Sequence, residues 1–488
     1  MKKISLYKVV FLLPALMLLG CEDFLDVNQS PNNPEKVPPS TLLPTGLVGA
    51  AFANANELNR FSSTVMDYTY GAAGSPAAYD IYNTDGANFG NQWRFEIYGG
   101  AIVTFKDLIK AADELGSTSY RGIAKIMRAY SFAIATDTWG DVPYSQAGHG
   151  EEFLQPRLDS QESIYKGNAA EGIQSLFDMV RDGIADLNTA STVNPGSEDV
   201  VYGGNLDNWK RAGYTLMLRL AMQISDREPL LAASIINEVA TANLYISANA
   251  QNLSVKFGGS TGSQNPIHTW TNVSLFLGDM NVSTGYVNLL TGKNDPRLDL
   301  VVTKPTGSFV TYENGFIGTL APSANRSRWN TAITGANGVG PVRLLTNAQR
   351  AFIMAEALIA IPGVTLPKTA QEYYEEGIRS SMLEFGVPAA TVDTYFNDHA
   401  AEVTLSGTTE EQIEQIVTQK YIAGTGNGLE AWNDYRRTGY PAFAEHLNAV
   451  GIDGKRPKRA QYINEEVQRN PNFANIVLPN VNVWWDVD

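Results

Sequence analysis

The only cysteine in this 488-residue chain is Cys21, and it stands directly behind a short apolar run. A chain with one thiol closes no internal disulfide, so everything after Cys21 must be held by its own core. At this length that is no handicap, because the fraction of surface buried on folding rises with size. Upstream of the cysteine, Lys2, Lys3 and Lys8 flank an almost unbroken apolar stretch at 9–19, and Gly20 provides a small residue just before Cys21. The stretch has the length of a secretion signal's apolar region and falls short of the roughly 20 residues of a membrane span. Residues 1–20 are therefore expected to be a signal peptide. Residues 21–40, rich in Pro, Asn and Ser, read as an extended linker.

Charge narrows the partners. Lys and Arg total 36 against 51 Asp and Glu; setting aside the three leading lysines leaves a net charge of about −18. Such a surface argues against nucleic-acid binding, which needs clustered cations to displace counterions. After residue 20 no apolar run reaches membrane length.

The body, 41–488, reads as mainly helical. Apolar residues recur at helical spacing over 120–137 (Ile123, Met127, Tyr130, Ile134) and 163–188 (Ile173, Leu176, Phe177, Val180, Ile184, Leu187). Further helices are expected at 41–60, 93–115, 208–225, 228–243, 347–361, 370–385, 389–396 and 410–424, and their short connections imply antiparallel helix pairs. Two segments break the pattern. Residues 68–92 interleave glycines with Tyr68, Tyr70, Tyr79, Tyr82 and Phe89, which suggests a long functional loop. Residues 249–343 lose helical periodicity and show short alternating pieces at 253–257 and 300–303, as expected of an irregular insertion with short strands.

No catalytic constellation is written locally. The four histidines, His149, His268, His399 and His446, fall in no metal-binding spacing, so neither a metal site nor a cofactor is expected. Gly258-Gly-Ser-Thr-Gly262 matches the nucleophile-elbow pattern, but 263–266 does not read as the helix that must follow it. Arg436 and Arg437, with Glu430 and Asp434, are expected to form an internal ion-pair cluster holding the last helices.

Several motifs together carry a resemblance. Leu18-Leu-Gly-Cys21 looks like a bacterial lipobox, whose cysteine is lipidated, and Glu22-Asp-Phe-Leu-Asp26 resembles a surface-export signal of Bacteroidetes lipoproteins. Asp137-Thr-Trp-Gly-Asp-Val-Pro-Tyr144 ends a long helix, Asp295-Pro-Arg-Leu298 sits in the irregular region, and Glu430-Ala-Trp-Asn-Asp-Tyr-Arg-Arg-Thr-Gly-Tyr440 precedes a tail closing with Trp484-Trp485. In this order they resemble the SusD/RagB family of nutrient-binding outer-membrane lipoproteins of Bacteroidetes. The resemblance implies tetratricopeptide-like helix pairs with an irregular ligand-binding region. It also implies lipid anchoring at the cell surface beside a SusC-like TonB-dependent transporter, and capture of an oligosaccharide without chemistry upon it. A helical scaffold that binds only proteins, or a surface hydrolase, are the alternatives.

A pyranose has an apolar face that stacks on flat aromatic rings, while Asp, Asn and Arg bond its hydroxyls. The expected ligand site therefore combines 68–92 with 265–330: Tyr79, Asp80, Tyr82, Asn83, Asn88, Trp270, Tyr286 and Trp329. Trp139, Trp432, Trp484 and Trp485 lie in the shared motifs and are expected to be structural.

Overall fold

Helix begins where the proline-rich stretch ends. The computed structural model describes residues 37–150, 152–451 and 453–487; the expected signal peptide, Cys21 and all but the last residues of the 21–40 linker lie outside them. From Pro39 onward the chain forms one unit. Among the described residues no helix is long and apolar enough to cross a membrane.

Most of the unit is helix packed on neighbouring helix. Thr118–Trp139 lies against Leu176–Leu187, Leu206–Gln223 against Pro229–Ala242, and Asn347–Ala360 against Ala370–Glu384 and Thr409–Ala423. Close approach needs missing side chains: a methyl on Gly122 would collide with the carbonyl of Gly183 on the facing helix. Polar caps set the starts. Ser117, Ser175, Asn205 and Thr346 each accept a backbone N–H in the first turn, and Thr369 with Glu372 and Thr408 with Glu411 form complete capping boxes.

Three expectations are corrected. The single helix at 163–188 is two, Gln161–Lys166 and Leu176–Leu187, because Gly167 and Gly172 turn the chain through positive φ (81° and 71°). The strand-like piece at 300–303 is instead the end of a short helix, Leu298–Val301, followed by one bridge from Val302 to Trp329. The long loop at 68–92 is folded: it contains the strand Thr69–Gly71 and the helix Gly74–Tyr79.

The insertion at 249–343 is irregular, as expected; one short antiparallel strand pair ties it to the 68–92 segment and a second closes its start onto its end. Thr69–Gly71 pairs with Met280–Val282, with Tyr70 opposite Asn281; Leu253–Val255 pairs with Val342–Leu345.

The helical half closes around buried charge. Arg219 Nη1 donates to Asp137 Oδ2 at 2.5 Å and Nη2 to Glu430 Oε1 at 2.8 Å, while Gln349 donates to Glu430 Oε2 at 2.8 Å. Asp137 Oδ1 also accepts from the Tyr165 hydroxyl (2.7 Å) and the Trp485 indole (3.0 Å). The expected cluster at 430–437 exists in part, with Arg437 on Asp434, while Glu430 pairs with Arg219. Arg437 pairs with Glu356 at 2.6 Å and Asp434 at 3.3 Å, and Lys420 joins Asp434 at 2.8 Å. Among the described residues Arg436 makes no direct carboxylate pair: its guanidinium lies 3.7 Å from the Trp432 ring centre and 4.7 Å from that of Trp485, and it donates to the Asp137 and Lys458 carbonyls. Burial pushes its pKa down to about 9. Trp139, Trp432 and Trp485 are fully buried, and Trp484 is half-buried.

Removing one partner of a buried ion pair strands the others away from water. Arg219→Met leaves Asp137 and Glu430 as facing buried carboxylates, so urea unfolding should show a loss of about 3–5 kcal/mol.

Candidate functional site

The two segments marked by the sequence do come together. Besides the strand pair, buried Asp80 accepts from Asn314 Nδ2 at 2.7 Å and Gly315 N at 2.5 Å, which welds the first segment to the insertion. Burial raises the Asp80 pKa.

Most of the side chains expected to touch ligand are buried in the core. Tyr79 is enclosed, packed edge-on to Phe61, with its hydroxyl donating to Glu57. Tyr82 lies over His446 at 4.5 Å and accepts from His446 N. Tyr286 and Trp329 pack edge to face at 5.4 Å beside Tyr68, deep in the core. None of these four offers a ring face to a ligand, so they are corrected from stacking surfaces to core. Asn88 accepts from Asp85 N in its own turn, and Asn83 is exposed beyond Tyr82.

Trp270 is different. It is partly exposed on the helix Pro266–Asn272, which starts where buried Asn265 accepts from Ile267 N and donates to the Gly340 carbonyl. The Arg60 guanidinium lies 3.8 Å from the centre of its ring, a cation–π contact with a buried cation. Glu57 holds Arg60 at 2.8 Å, and Asp279 stands 3.9 Å away. Phe276 leans on Trp270 at 4.4 Å and 58°, and neighbouring Leu275 is 78 % exposed. A second aromatic pair, Tyr312 and Phe316 (5.1 Å), is joined to this patch through Arg326, which donates to the Gly278 and Ala321 carbonyls. The result is a surface of partly exposed rings with charged groups at its edge.

Two local irregularities meet beneath Trp270. Asn56 sits between the helices Pro39–Ala55 and Glu57–Val65 at a position where Asn ordinarily caps, yet its side chain makes no cap. Instead Asn56 Oδ1 accepts from the Trp270 indole N–H, and Asn56 Nδ2 donates to Glu96 Oε1 at 2.5 Å. Glu96 itself lies in Gln92–Val103, twelve residues of π-helix, a rare conformation concentrated at functional sites. Desolvation, with the nearby charge of Glu57, raises the Glu96 pKa to about 7. Phe95, one position earlier, is 66 % exposed.

Asn56, Arg60, Phe95 and Glu96 were missed by sequence reasoning. Gly99-Gly100 inside the expected helix at 93–115 was the available sign of irregular winding.

A separate cleft of about 620 Å³, lined by polar and charged residues including Asn249, Lys368, Glu372, Glu376 and Arg379, is roomy enough for a sugar, but none of its lining residues is aromatic, so it offers no ring to stack on. The cavity beneath the Gly424–Gly428 turn, lined in part by Tyr68, Lys420 and Asp434, has a volume of about 40 Å³, room for water only. Ser260, of the elbow-like motif, is exposed in a turn whose carbonyl accepts from Ser263 N.

Residues 31–463 match the profile of a SusD-like family described as "Starch-binding associating with outer membrane", and the chain belongs to that family. No curated protein matches the sequence. Among solved structures it is similar to a chitin-binding protein (TM-score 0.77, 22 % identity, covering 92 % of this chain and 100 % of that one). It is also similar to a SusD homologue from Bacteroides uniformis (TM-score 0.76, 23 % identity, 92 % and 99 % covered). A chitin-binding SusD homologue from Flavobacterium johnsoniae has TM-score 0.75 at 22 % identity, with 91 % and 99 % covered. The fold is thus the SusD-like, mainly helical one.

The Glu96 carboxyl offers a check on the site's electrostatics. Its proton is held to about pH 7 in the folded protein but leaves near 4.5 when unfolded. Folding is therefore favoured fully below pH 4.5, and this contribution is lost as pH rises to about 7. In thermal melts the advantage of Glu96→Gln over wild type should grow across that window and then stay constant.

Proposed function

We propose that this protein is a surface lipoprotein that binds an oligosaccharide and delivers it to a SusC-like TonB-dependent transporter in the outer membrane, without catalysis. The observation that carries the proposal is the partly exposed Trp270–Phe276 pair, backed by Arg60 and bordered by Glu57 and Asp279. Flat apolar rings with charged hydrogen-bonding groups at their edge suit the two-sided chemistry of a sugar. The family's description and the chitin-binding similar structures support a glycan over a peptide. In this proposal Cys21 carries the lipid, since several acyl chains anchor where one does not.

Calorimetry with maltohexaose and N-acetylchitohexaose tests the capture step. One of them should bind, and Trp270→Ala should weaken it by about tenfold, the scale of one lost ring contact. Unchanged binding in Trp270→Ala would move the site elsewhere; no binding of any oligosaccharide in a broad panel would favour a scaffold for proteins alone. Delivery has a separate test: purification in mild detergent from native membranes should bring down a TonB-dependent barrel, and Cys21→Ser should release the protein from the membrane fraction.

A further inference from the structure

Asn56 gives up its cap, and the winding of the helix at Gln92–Val103 is irregular; both irregularities end at the indole of Trp270. We propose that Glu96 is a positioning residue that, through Asn56, fixes the orientation of Trp270, so that protonating Glu96 loosens this ring and weakens capture at the patch. The part concerning capture rests on the proposed glycan function; the part concerning the ring does not.

The chemistry of the three groups leaves one arrangement. An indole N–H only donates, so Asn56 must turn its oxygen toward Trp270 and its amide N–H toward Glu96. An ionised carboxylate only accepts, which matches that demand with a charge-assisted bond. The other oxygen, Glu96 Oε2, is buried and has no hydrogen-bond partner. A proton placed there has no acceptor, and the bond to Asn56 falls to neutral strength. A proton placed on Oε1 needs Asn56 to flip, which then presents an N–H to the indole N–H. In the first case the anchor of Trp270 is weakened, and in the second it is broken.

The surrounding charges are few. Glu57 and Arg60 face this corner from the helix Glu57–Val65, paired with each other, and Asp279 faces Arg60 from the loop before Met280–Val282. The helix Pro39–Ala55 carries no charged residue, and Arg94 on the same turn as Glu96 pairs with Glu465. Burial, with a smaller contribution from the charge of Glu57, opposes ionisation of Glu96 and raises its pKa to about 7.

The test reads the ring directly and needs no sugar. Tryptophan fluorescence of the full protein is recorded from pH 5 to 9, and the signal of Trp270→Phe is subtracted to isolate Trp270. The difference signal should titrate with a midpoint near pH 7. It should be flat in Glu96→Gln, which keeps an accepting oxygen at every pH, and flat in Asn56→Leu, which retains the titrating carboxyl but cuts the connection. A flat wild-type trace, or one that still titrates in Asn56→Leu, overturns the proposal. Whichever of maltohexaose or N-acetylchitohexaose binds should then bind about fivefold more weakly at pH 6 than at pH 8, the scale of exchanging a charge-assisted for a neutral hydrogen bond, with the difference abolished in Glu96→Gln. If neither sugar binds at any pH, the glycan function fails while the fluorescence still decides the role of Glu96.

Discussion

One buried carboxylate, Asp137, connects the helical half. It sits at the end of the long helix Thr118–Trp139 and is met by Arg219, Tyr165 and Trp485, while Arg436 reaches its carbonyl. A charge this far from water persists only when every lone pair has a donor. The demand explains why residues scattered from 137 to 485 form one recognisable set: the acid, the base and the two indole-bearing segments are parts of one satisfied network. Arg436 shows the same logic with no direct carboxylate pair among the described residues. Flat against Trp432 and Trp485 and bonded to two carbonyls, it is held by ring faces and peptide dipoles.

The same network anchors the irregular half only indirectly, through Glu430 and the turn before it. Asn427 caps the helix Gly428–Thr438, and its amide oxygen accepts from Asn54 on the first helix. Gly428 N donates to Asn59 of the next. The first two helices are therefore fixed from below by the buried network and carry Asn56 and Arg60 on the side where the insertion packs. The position of Trp270 is set by elements on both sides: Asn265 pins its helix to the insertion, and Asn56 ties its ring to the body.

Much of this was legible in the sequence. Helical periodicity located most of the long helices to within a few residues, since their buried stripes dominate their composition, but it ran 163–188 and 41–60 together where each is two helices. The insertion was visible because it loses that period. Ring-bearing side chains were harder. Tyr79, Tyr82, Tyr286 and Trp329 sit in glycine-rich, loop-like stretches, and loops usually lie on the surface. Here those loops fold into the core, where Tyr79 packs on Phe61, Tyr82 on His446, and Tyr286 and Trp329 on each other beside Tyr68, with hydroxyls satisfied by Glu57, His446 N and Thr425. Arg60 and Glu96 were hidden for the opposite reason: each lies in an apparently ordinary helix, and only the three-dimensional meeting of a missing cap with a π-wound segment distinguishes them.

The helix pairs look like the units of a solenoid, yet they do not behave as independent units. In a true repeat array each unit touches only its neighbours, so stability accumulates along the chain and units are gained or lost almost freely. Here the acid at 137 waits for a base at 219, that base for Glu430, and the acid again for an indole at 485. Such long-range closure ties distant parts of the chain into a single cooperative transition. It also means that removing a helix pair that carries one of these groups would strand its partners as unpaired buried charge or polar groups.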